Sequence, residues 1–200
     1  MRLLTRCAAI LVFAAITATA VASDDARRAS DNPMQETITL GGNPIHTVGK
    51  LPAIGDDLSS LTLAARDLSD IHLADFHGRK VILNIFPSLD TQVCATSVRK
   101  FNVAAAKLEG AVLLCVSVDL PFAMSRFCST EGIENVVNGS AFRDPEFGQR
   151  LGLTIADGNM RGLLARAVLV LDEEGKLIYR ELVSEVANEP NYEAALAAVK

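Results

Sequence analysis

The sequence predicts an α/β domain in which helices flank a mixed central sheet. Two continuously apolar runs, residues 80–86 (KVILNIF) and 111–119 (AVLLCVSVD), are typical of buried strands. Each of these runs is followed by a pattern that is typical of a helix. A third run, residues 166–172, pairs with residues 176–183 across the turn EEG, and a final helix closes the chain. This order of elements predicts a three-layer α/β arrangement.

An N-terminal β-hairpin is expected ahead of the central sheet. Residues 36–40 and 44–48 alternate between apolar and polar side chains around the turn sequence Gly41-Gly42-Asn43. Residues 60–80 add short strands, and residues 75–78 are expected to form a turn.

The first central helix is predicted over residues 91–109, where apolar side chains recur at spacings of four and three. This stripe comprises Cys94, Val98, Phe101, Ala105 and Leu108. Gly110 is expected to end the helix, because glycine adopts the left-handed conformation found after helix C-termini.

The second central helix has a start signal and a stop signal. Asp119 is expected to cap it, Pro121 suits its first turn, and Gly132 follows its last residue, Glu131. Residues 144–152 predict a short helix, and residues 189–200 predict the terminal one. The complete order is thioredoxin-like, and no change in composition divides residues 35–200, which we therefore predict to be one domain.

The first 34 residues predict export. Residues 1–22 combine arginines, a small apolar run and an A-x-A motif before Ser23, as in a secretory signal peptide. Residues 23–34 are polar with mixed charge, which favours a disordered tether. We therefore expect a periplasmic protein that leaves the membrane after cleavage. The alternatives are an uncleaved membrane anchor and an internal start at Met34, which would give a cytoplasmic protein.

Charge and histidine placement exclude two classes of function. The formal net charge is −5 and no block of basic residues occurs, which argues against nucleic-acid binding. The histidines do not approach metal-ligand spacing alongside the cysteines, so neither a metal nor another cofactor is expected. The histidines are His46, His72 and His77.

Three cysteines remain after residue 22, and C-x-x-C does not occur. An odd number cannot pair completely within one chain, so at least one has another role. Cys115 lies in the middle of an apolar strand and is expected in the core. Cys128 lies in the second central helix and could be a core residue, a disulfide partner or a metal ligand.

Cys94 is the candidate nucleophile. If Thr91 caps the helix, Cys94 occupies its third position, where unpaired N–H groups and the helix dipole favour a thiolate. The Thr91 hydroxyl would share a helix face with the sulfur and could donate a hydrogen bond to it. The alternative is that Cys94 is one more core residue of the apolar stripe.

Two further residues are candidates for the same site. Pro87 ends the preceding strand and fixes the approach of the loop that leads to the helix. Arg166 either faces solvent beside its strand or folds back to place a permanent positive charge near Cys94. Sequence spacing leaves both placements of Arg166 open.

Three stretches of the chain closely resemble one protein family. They are FPSLDTQVCATSVRKFN, VLLCVSVDLPFAMSRFC and GLLARAVLVLDEEGKLIYRELVSEV. They are similar to the bacterial thiol peroxidases, the atypical two-cysteine peroxiredoxins, and the resemblance extends from residue 36 to the end of the chain. The second cysteine, within PFAMSRFC, makes the resemblance more specific than T-x-x-C alone.

The resemblance implies a reaction and a role for each candidate residue. Cys94 would be the peroxidatic cysteine that becomes a sulfenic acid, and Cys128 the resolving cysteine that forms a disulfide with it. Thr91 and Arg166 would hold the thiolate and align hydrogen peroxide or an organic hydroperoxide, while Pro87 shields the site. The family also implies a thioredoxin fold, a homodimer and a thioredoxin-like dithiol reductant.

Two other functions fit the same residues. The protein could be a peroxide sensor that passes its disulfide to a partner, or a non-catalytic domain stabilised by a permanent Cys94–Cys128 disulfide. The predicted export signal departs from the family's usual cytoplasmic members. An exported or membrane-tethered thioredoxin-like donor is therefore expected.

Overall fold

A computed structural model describes residues 35–200, and the predicted signal peptide and tether lie outside this range. The strands are β1 (Thr37–Leu40), β2 (Asn43–Val48), β3 (Thr62–Ala64), β4 (Asp70–His72), β5 (Lys80–Ile85), β6 (Ala111–Ser117), β7 (Val137–Ser140), β8 (Thr154–Ile155), β9 (Ala167–Leu171) and β10 (Leu177–Leu182). The α-helices are α1 (Gln92–Ala105), α2 (Pro121–Glu131), α3 (Phe147–Arg150) and α4 (Tyr192–Ala197), and a 3₁₀ turn covers Leu73–Phe76.

The central sheet is mixed, as predicted. Its strand order is β10-β9-β5-β6-β7-β3-β4. The β5, β6 and β7 strands run parallel because α1 and α2 carry the chain back across the sheet, whereas β9 and β10 form an antiparallel hairpin. The predicted thioredoxin-like α/β class is confirmed.

The predicted N-terminal hairpin is also confirmed. β1 pairs with β2 in antiparallel register, and β2 pairs in turn with β8 in a separate three-stranded sheet. Gly41 and Gly42 make the connecting turn with φ angles of 59° and 80°, which side chains with a Cβ rarely adopt. The turn sequence therefore fixed the hairpin locally.

Alternate residues of the central strands face two different apolar layers. Ile82, Leu113 and Val168 face a layer that also contains buried residues of α1, α2 and α4. Leu83 and Leu114, one residue further along, face the layer covered by the N-terminal sheet and α3. The three longer helices thus share one face of the sheet. None of the helices within residues 35–200 is long and apolar enough to span a membrane.

Two details of the prediction were wrong. Helix α1 ends at Ala105 and not near Gly110, because Lys107 and Leu108 form tight i→i−3 bonds after it. Strands β7 and β8 were not predicted. The β7 sequence, VNGS, has no apolar run, and it is a strand because the edges of β6 and β3 both pair with it.

Candidate active site

Cys94 lies in the first turn of α1 with its side chain completely buried. Thr91 is the N-cap residue, as predicted, and its backbone is extended with φ −103° and ψ 143°. Its hydroxyl does not cap the helix; Oγ1 lies 2.7 Å from the Cys94 Sγ and 3.0 Å from the Ser88 carbonyl oxygen. The hydroxyl is therefore directed at the sulfur.

The Thr91 hydroxyl has one proton, so it can donate a hydrogen bond to the Cys94 sulfur or to the Ser88 carbonyl, but not to both at once. When Cys94 is a thiolate, Thr91 donates its proton to the sulfur. When Cys94 is a thiol, its S–H can donate to Oγ1 while Thr91 donates to the Ser88 carbonyl. Thr91 thus accommodates both protonation states without moving.

Arg166 approaches the same sulfur from the strand side. It directly precedes β9, and the alternation along that strand directs it towards the helical layer, as with Val168. Its side chain is 1% exposed, so the solvent-facing alternative is wrong. Nη2 lies 3.4 Å from the Cys94 Sγ, and Nε and Nη2 both donate to the Val186 carbonyl at 3.0 Å.

The Arg166 guanidinium makes no salt bridge among the residues that the structure describes, although its positive charge helps to lower the pKa of the Glu189 carboxyl. Its hydrogen bonds are to a carbonyl oxygen and to sulfur, and its Nη1 is buried without any partner there. Arginine stays protonated inside proteins, and a buried charge is stable only when it is compensated. A Cys94 thiolate would be the counterion of this guanidinium, and Nη1 remains available to a ligand.

The loop before α1 is held by Asp119. The carboxylate of Asp119 accepts hydrogen bonds of 2.8 Å from the Ser88 hydroxyl, the Leu89 amide and the Ser117 hydroxyl. The prediction that Asp119 caps the second central helix was wrong, because Leu120 is the N-cap residue of α2. Asp119 instead fixes the loop that presents Thr91, a role that only the folded chain reveals.

A cavity of about 210 Å³ opens beside these residues. Pro87, Thr91 and Arg166 line it together with apolar side chains that include Leu40, Met160 and Val186. The predicted site residues Pro87, Thr91, Cys94 and Arg166 therefore converge at one place. The cavity is large enough for a small peroxide and offers it mainly apolar walls.

Cys128 lies apart from this cavity. Its side chain is half-buried in α2 and lines a second cavity of about 410 Å³. The Asn138 side-chain amide donates to the Cys128 Sγ at 2.9 Å. Burial raises the pKa of the Cys128 thiol, while this hydrogen bond and the positive charge of Arg66 oppose the rise. All three cysteines within residues 35–200 are free thiols.

The expectation that Cys115 is a core residue is confirmed. Its side chain is completely buried in β6, and the Asn84 amide is 3.7 Å from its sulfur. Burial raises the pKa of the Cys115 thiol to about 12, so it stays protonated at neutral pH.

The histidines are engaged separately from the cysteines. His46 pairs with Asp157, His72 with the Thr62 hydroxyl, and His77 with the Ser59 hydroxyl. No cluster of three potential metal ligands occurs within residues 35–200.

Known proteins match most of the part of the chain that the structure describes. The family model described as Redoxin matches residues 47–196. A thiol peroxidase of Mycobacterium tuberculosis is 59% identical over 162 residues, which cover 81% of this chain and 97% of that protein. A thiol peroxidase of Corynebacterium glutamicum is 55% identical over 158 residues, covering 79% of this chain and 95% of its own length.

A solved structure agrees with these sequence relatives. The crystal structure of a peroxiredoxin-like protein from Aquifex aeolicus superposes with a TM-score of 0.76 at 37% identity. The match covers 83% of this chain and 97% of that one.

Proposed function

The chain belongs to the Redoxin family, and we propose that it is a thiol-dependent peroxidase with Cys94 as its peroxidatic residue. One observation carries the proposal. The Cys94 sulfur is in contact with a hydroxyl donor and with a buried guanidinium whose Nη1 has no hydrogen-bond partner among residues 35–200. Such surroundings favour the thiolate, which is the nucleophile that attacks peroxides.

The first chemical step oxidises Cys94. The thiolate attacks one peroxide oxygen, an S–O bond forms, and the O–O bond breaks. The departing oxygen takes up a proton and leaves as water or an alcohol, and Cys94 is left as a sulfenic acid. Arg166 Nη1, which has no partner among residues 35–200, suits the peroxide oxygens, and Pro87 shields the site from bulk water.

The second step uses Cys128 as the resolving residue. Its sulfur attacks the Cys94 sulfenic acid, an S–S bond forms, the S–O bond breaks, and the oxygen leaves as water. Cys94 and Cys128 are unbonded here, and Cys128 lines a cavity separate from that of Thr91 and Arg166. We therefore expect one of the two segments to move when the disulfide forms.

Hydrogen peroxide or an organic hydroperoxide would be the substrate, and a thioredoxin-like dithiol would be the reductant. If the chain is cleaved before Ser23 and exported, cytoplasmic thioredoxin cannot reach it. The donor would then be an exported or membrane-tethered dithiol, because the periplasm is held oxidising. A donor that lacks its second cysteine should become trapped on this protein as a mixed disulfide in the periplasmic fraction.

Export itself is tested by the intact mass of the natural chain. A periplasmic chain that begins at Ser23 supports the proposal. A cytoplasmic chain that begins at Met34 would contradict it and make ordinary thioredoxin the expected reductant.

We also propose that the protein is a homodimer. Leu120 and Phe122 are 50% and 63% exposed at the start of α2, and neighbouring exposed apolar side chains are typical of interaction surfaces. Sedimentation should give twice the chain mass for the wild type. Phe122→Glu should shift the protein towards the monomer, and an unchanged dimer would place the interface elsewhere.

Peroxide consumption with a dithiol donor tests the catalytic roles. Cys94→Ser should lose activity to the background rate, because no other cysteine within residues 35–200 has comparable partners. Cys128→Ser should reduce about one equivalent of peroxide and then accumulate sulfenic or more oxidised Cys94, seen as added oxygen by mass spectrometry. Cys115→Ser is the matched control and should turn over normally.

The rival functions predict different results. A non-catalytic disulfide domain would consume no peroxide in any variant. A sensor would turn over slowly with small dithiols but form a stable mixed disulfide with its partner. Full multiple turnover by Cys128→Ser would remove Cys128 from the resolving role.

A further inference from the structure

Asn138 makes the closest polar contact to the Cys128 sulfur. Its Nδ2 lies 2.9 Å from Sγ, whereas its Oδ1 is buried without a partner among the residues that the structure describes. The amide thus directs a donor at the sulfur. A donor is the group that stabilises a thiolate.

The position of Asn138 is fixed by the sheet and not by the helix that carries Cys128. Asn138 is the register partner of Cys115, and β7 lies between β6 and β3. The next residue, Gly139, packs so closely on Leu63 that an added Cβ would lie 2.6 Å from the Leu63 Cδ1. The backbone that carries the Asn138 amide therefore has little freedom to shift.

We propose that Asn138 is the positioning residue of the resolving step, holding the Cys128 sulfur and stabilising its thiolate as it attacks the Cys94 sulfenic acid. This inference rests on the proposed resolving role of Cys128. In the step, Cys128 gives up its proton and forms the S–S bond as the S–O bond of Cys94 breaks. The oxygen leaves with that proton as water, Cys128 is oxidised, and the sulfenic sulfur is reduced.

The charged groups around Cys128 stabilise its thiolate less than the Asn138 amide does. Two exposed side chains of opposite charge, Arg66 and Glu134, line the same cavity. On the sheet side, the neighbouring titratable group is the Cys115 thiol, which is protonated. Burial raises the pKa of the Cys128 thiol, and the Asn138 hydrogen bond is the larger of the two effects that oppose the rise. Loss of that hydrogen bond should lower the thiolate fraction at neutral pH.

Two substitutions remove the donor at nearly constant size. Asn138→Leu removes the N–H without adding charge, and Asn138→Asp replaces it with a carboxylate that repels a thiolate. Asn138→Gln keeps an amide and should restore part of the effect. Asn102→Ala is the matched control, because the Asn102 side chain accepts bonds from the Glu134 and Asn135 amides at the same cavity but does not contact the sulfur.

The first measurement is independent of peroxidase activity. With Cys94 and Cys115 both changed to serine, iodoacetamide labelling of Cys128 is followed against pH. The labelling midpoint should rise in Asn138→Leu and more in Asn138→Asp, but stay unchanged in Asn102→Ala. A labelling midpoint equal to that of the background with Asn138 intact, in every Asn138 variant that circular dichroism shows to be folded, would overturn the inference. If Asn138→Leu does not fold, Asn138→Asp decides the test by itself.

The second measurement uses the otherwise wild-type chain in a stopped-flow instrument. Oxidation of Cys94 should be unchanged in the Asn138 variants, while the condensation that follows should slow by about five- to tenfold near neutral pH, the size expected for the loss of one hydrogen bond. Unchanged condensation, with a working wild type, contradicts the role of Asn138. Absence of any Cys94–Cys128 disulfide in the wild type would instead contradict the proposed function.

Discussion

Cys94 and Cys115 lie in the same apolar layer and are equally buried, yet the polar groups around their sulfurs differ. Cys94 has a hydroxyl at 2.7 Å and a guanidinium nitrogen at 3.4 Å. Among the described residues, the one polar side chain that contacts Cys115 is a carboxamide at 3.7 Å, and burial raises the pKa of the Cys115 thiol to about 12. Burial alone therefore does not decide whether a thiol is reactive.

The charge of the partner explains the difference. In a low-dielectric interior an unpaired charge is costly, so a buried guanidinium favours an anion beside it. A neutral carboxamide offers a much weaker interaction, and desolvation then favours the protonated thiol. Under the proposed function, the same apolar layer holds one nucleophile and one inert core residue.

The largest effect is expected from replacing the charged partner of Cys94 with a different cation. Arg166→Lys should slow Cys94 oxidation by about 10²-fold, because an ammonium cannot reproduce the planar fork that contacts Val186 and the sulfur together. Stopped-flow kinetics of the first step measure this loss.

Arg180→Lys is the control for that experiment. Arg180 also donates to backbone carbonyls, those of Leu51 and Pro52, but it is exposed and belongs to another surface. Its substitution should leave the oxidation rate unchanged. An equal rate in Arg166→Lys would mean that the guanidinium does not serve the thiolate.

A smaller effect is expected at the hydroxyl partner. Thr91→Val keeps the shape of the side chain but removes the donor to Cys94 Sγ, and it should slow oxidation by about tenfold. Thr91→Ser retains the hydroxyl and should retain most of the rate. If both variants were equally slow, the methyl group and not the hydroxyl would be the important part of Thr91.

The Glu185 carboxylate forms a clamp between the Gly41-Gly42 turn and the segment that carries the Val186 carbonyl, which accepts from Arg166. The stability that this clamp contributes should depend on pH. Bonds to Glu185 from the amides of Gly42 and Ala187, the Thr39 hydroxyl and the Gly41 amide lower the carboxyl pKa from 4.5 to about 2. The group therefore stabilises the fold above pH 4.5, and this contribution is lost as the pH falls from 4.5 to about 2. Glu185 thereby ties the hairpin turn to the segment that carries the Val186 carbonyl.

Denaturant unfolding of Glu185→Gln tests this clamp. The variant should be less stable than the wild type near neutral pH, and the difference should shrink towards about pH 2. Glu174→Gln is the control, because the exposed Glu174 side chain makes no hydrogen bond within residues 35–200. A difference in stability that did not depend on pH would contradict a role for the Glu185 charge.

The smallest effect is expected at Cys115. At about pH 9 its thiolate fraction should be near 10⁻³, because the pKa is about 12, so iodoacetamide should leave it unlabelled in the native protein. Peptide mapping by mass spectrometry measures the labelling, and a denatured sample should label fully. Native labelling of Cys115 as fast as that of Cys94 would show that the two buried thiols do not differ in reactivity.

The sequence alone determined the elements with strong local signals. The apolar runs predicted β5, β6 and β9, and the helix start after Thr91 placed Cys94 in the first turn of α1. These features depend on side-chain period and on neighbours a few residues apart. Strand β7 carries no such signal, since its asparagine and glycine suit a strand only where β6, β3 and Leu63 surround them.

Only the tertiary structure decided which residues from distant parts of the sequence reach each sulfur. Arg166 is 72 residues from Cys94 in sequence, and its position depends on the pairing of β9 beside β5. The loop anchor Asp119, the Val186 carbonyl and the Asn138 amide are likewise brought in by strand register. No local pattern encodes such contacts, because they arise from the packing of distant segments into one core, and that packing sets the charge and the donors at each thiol.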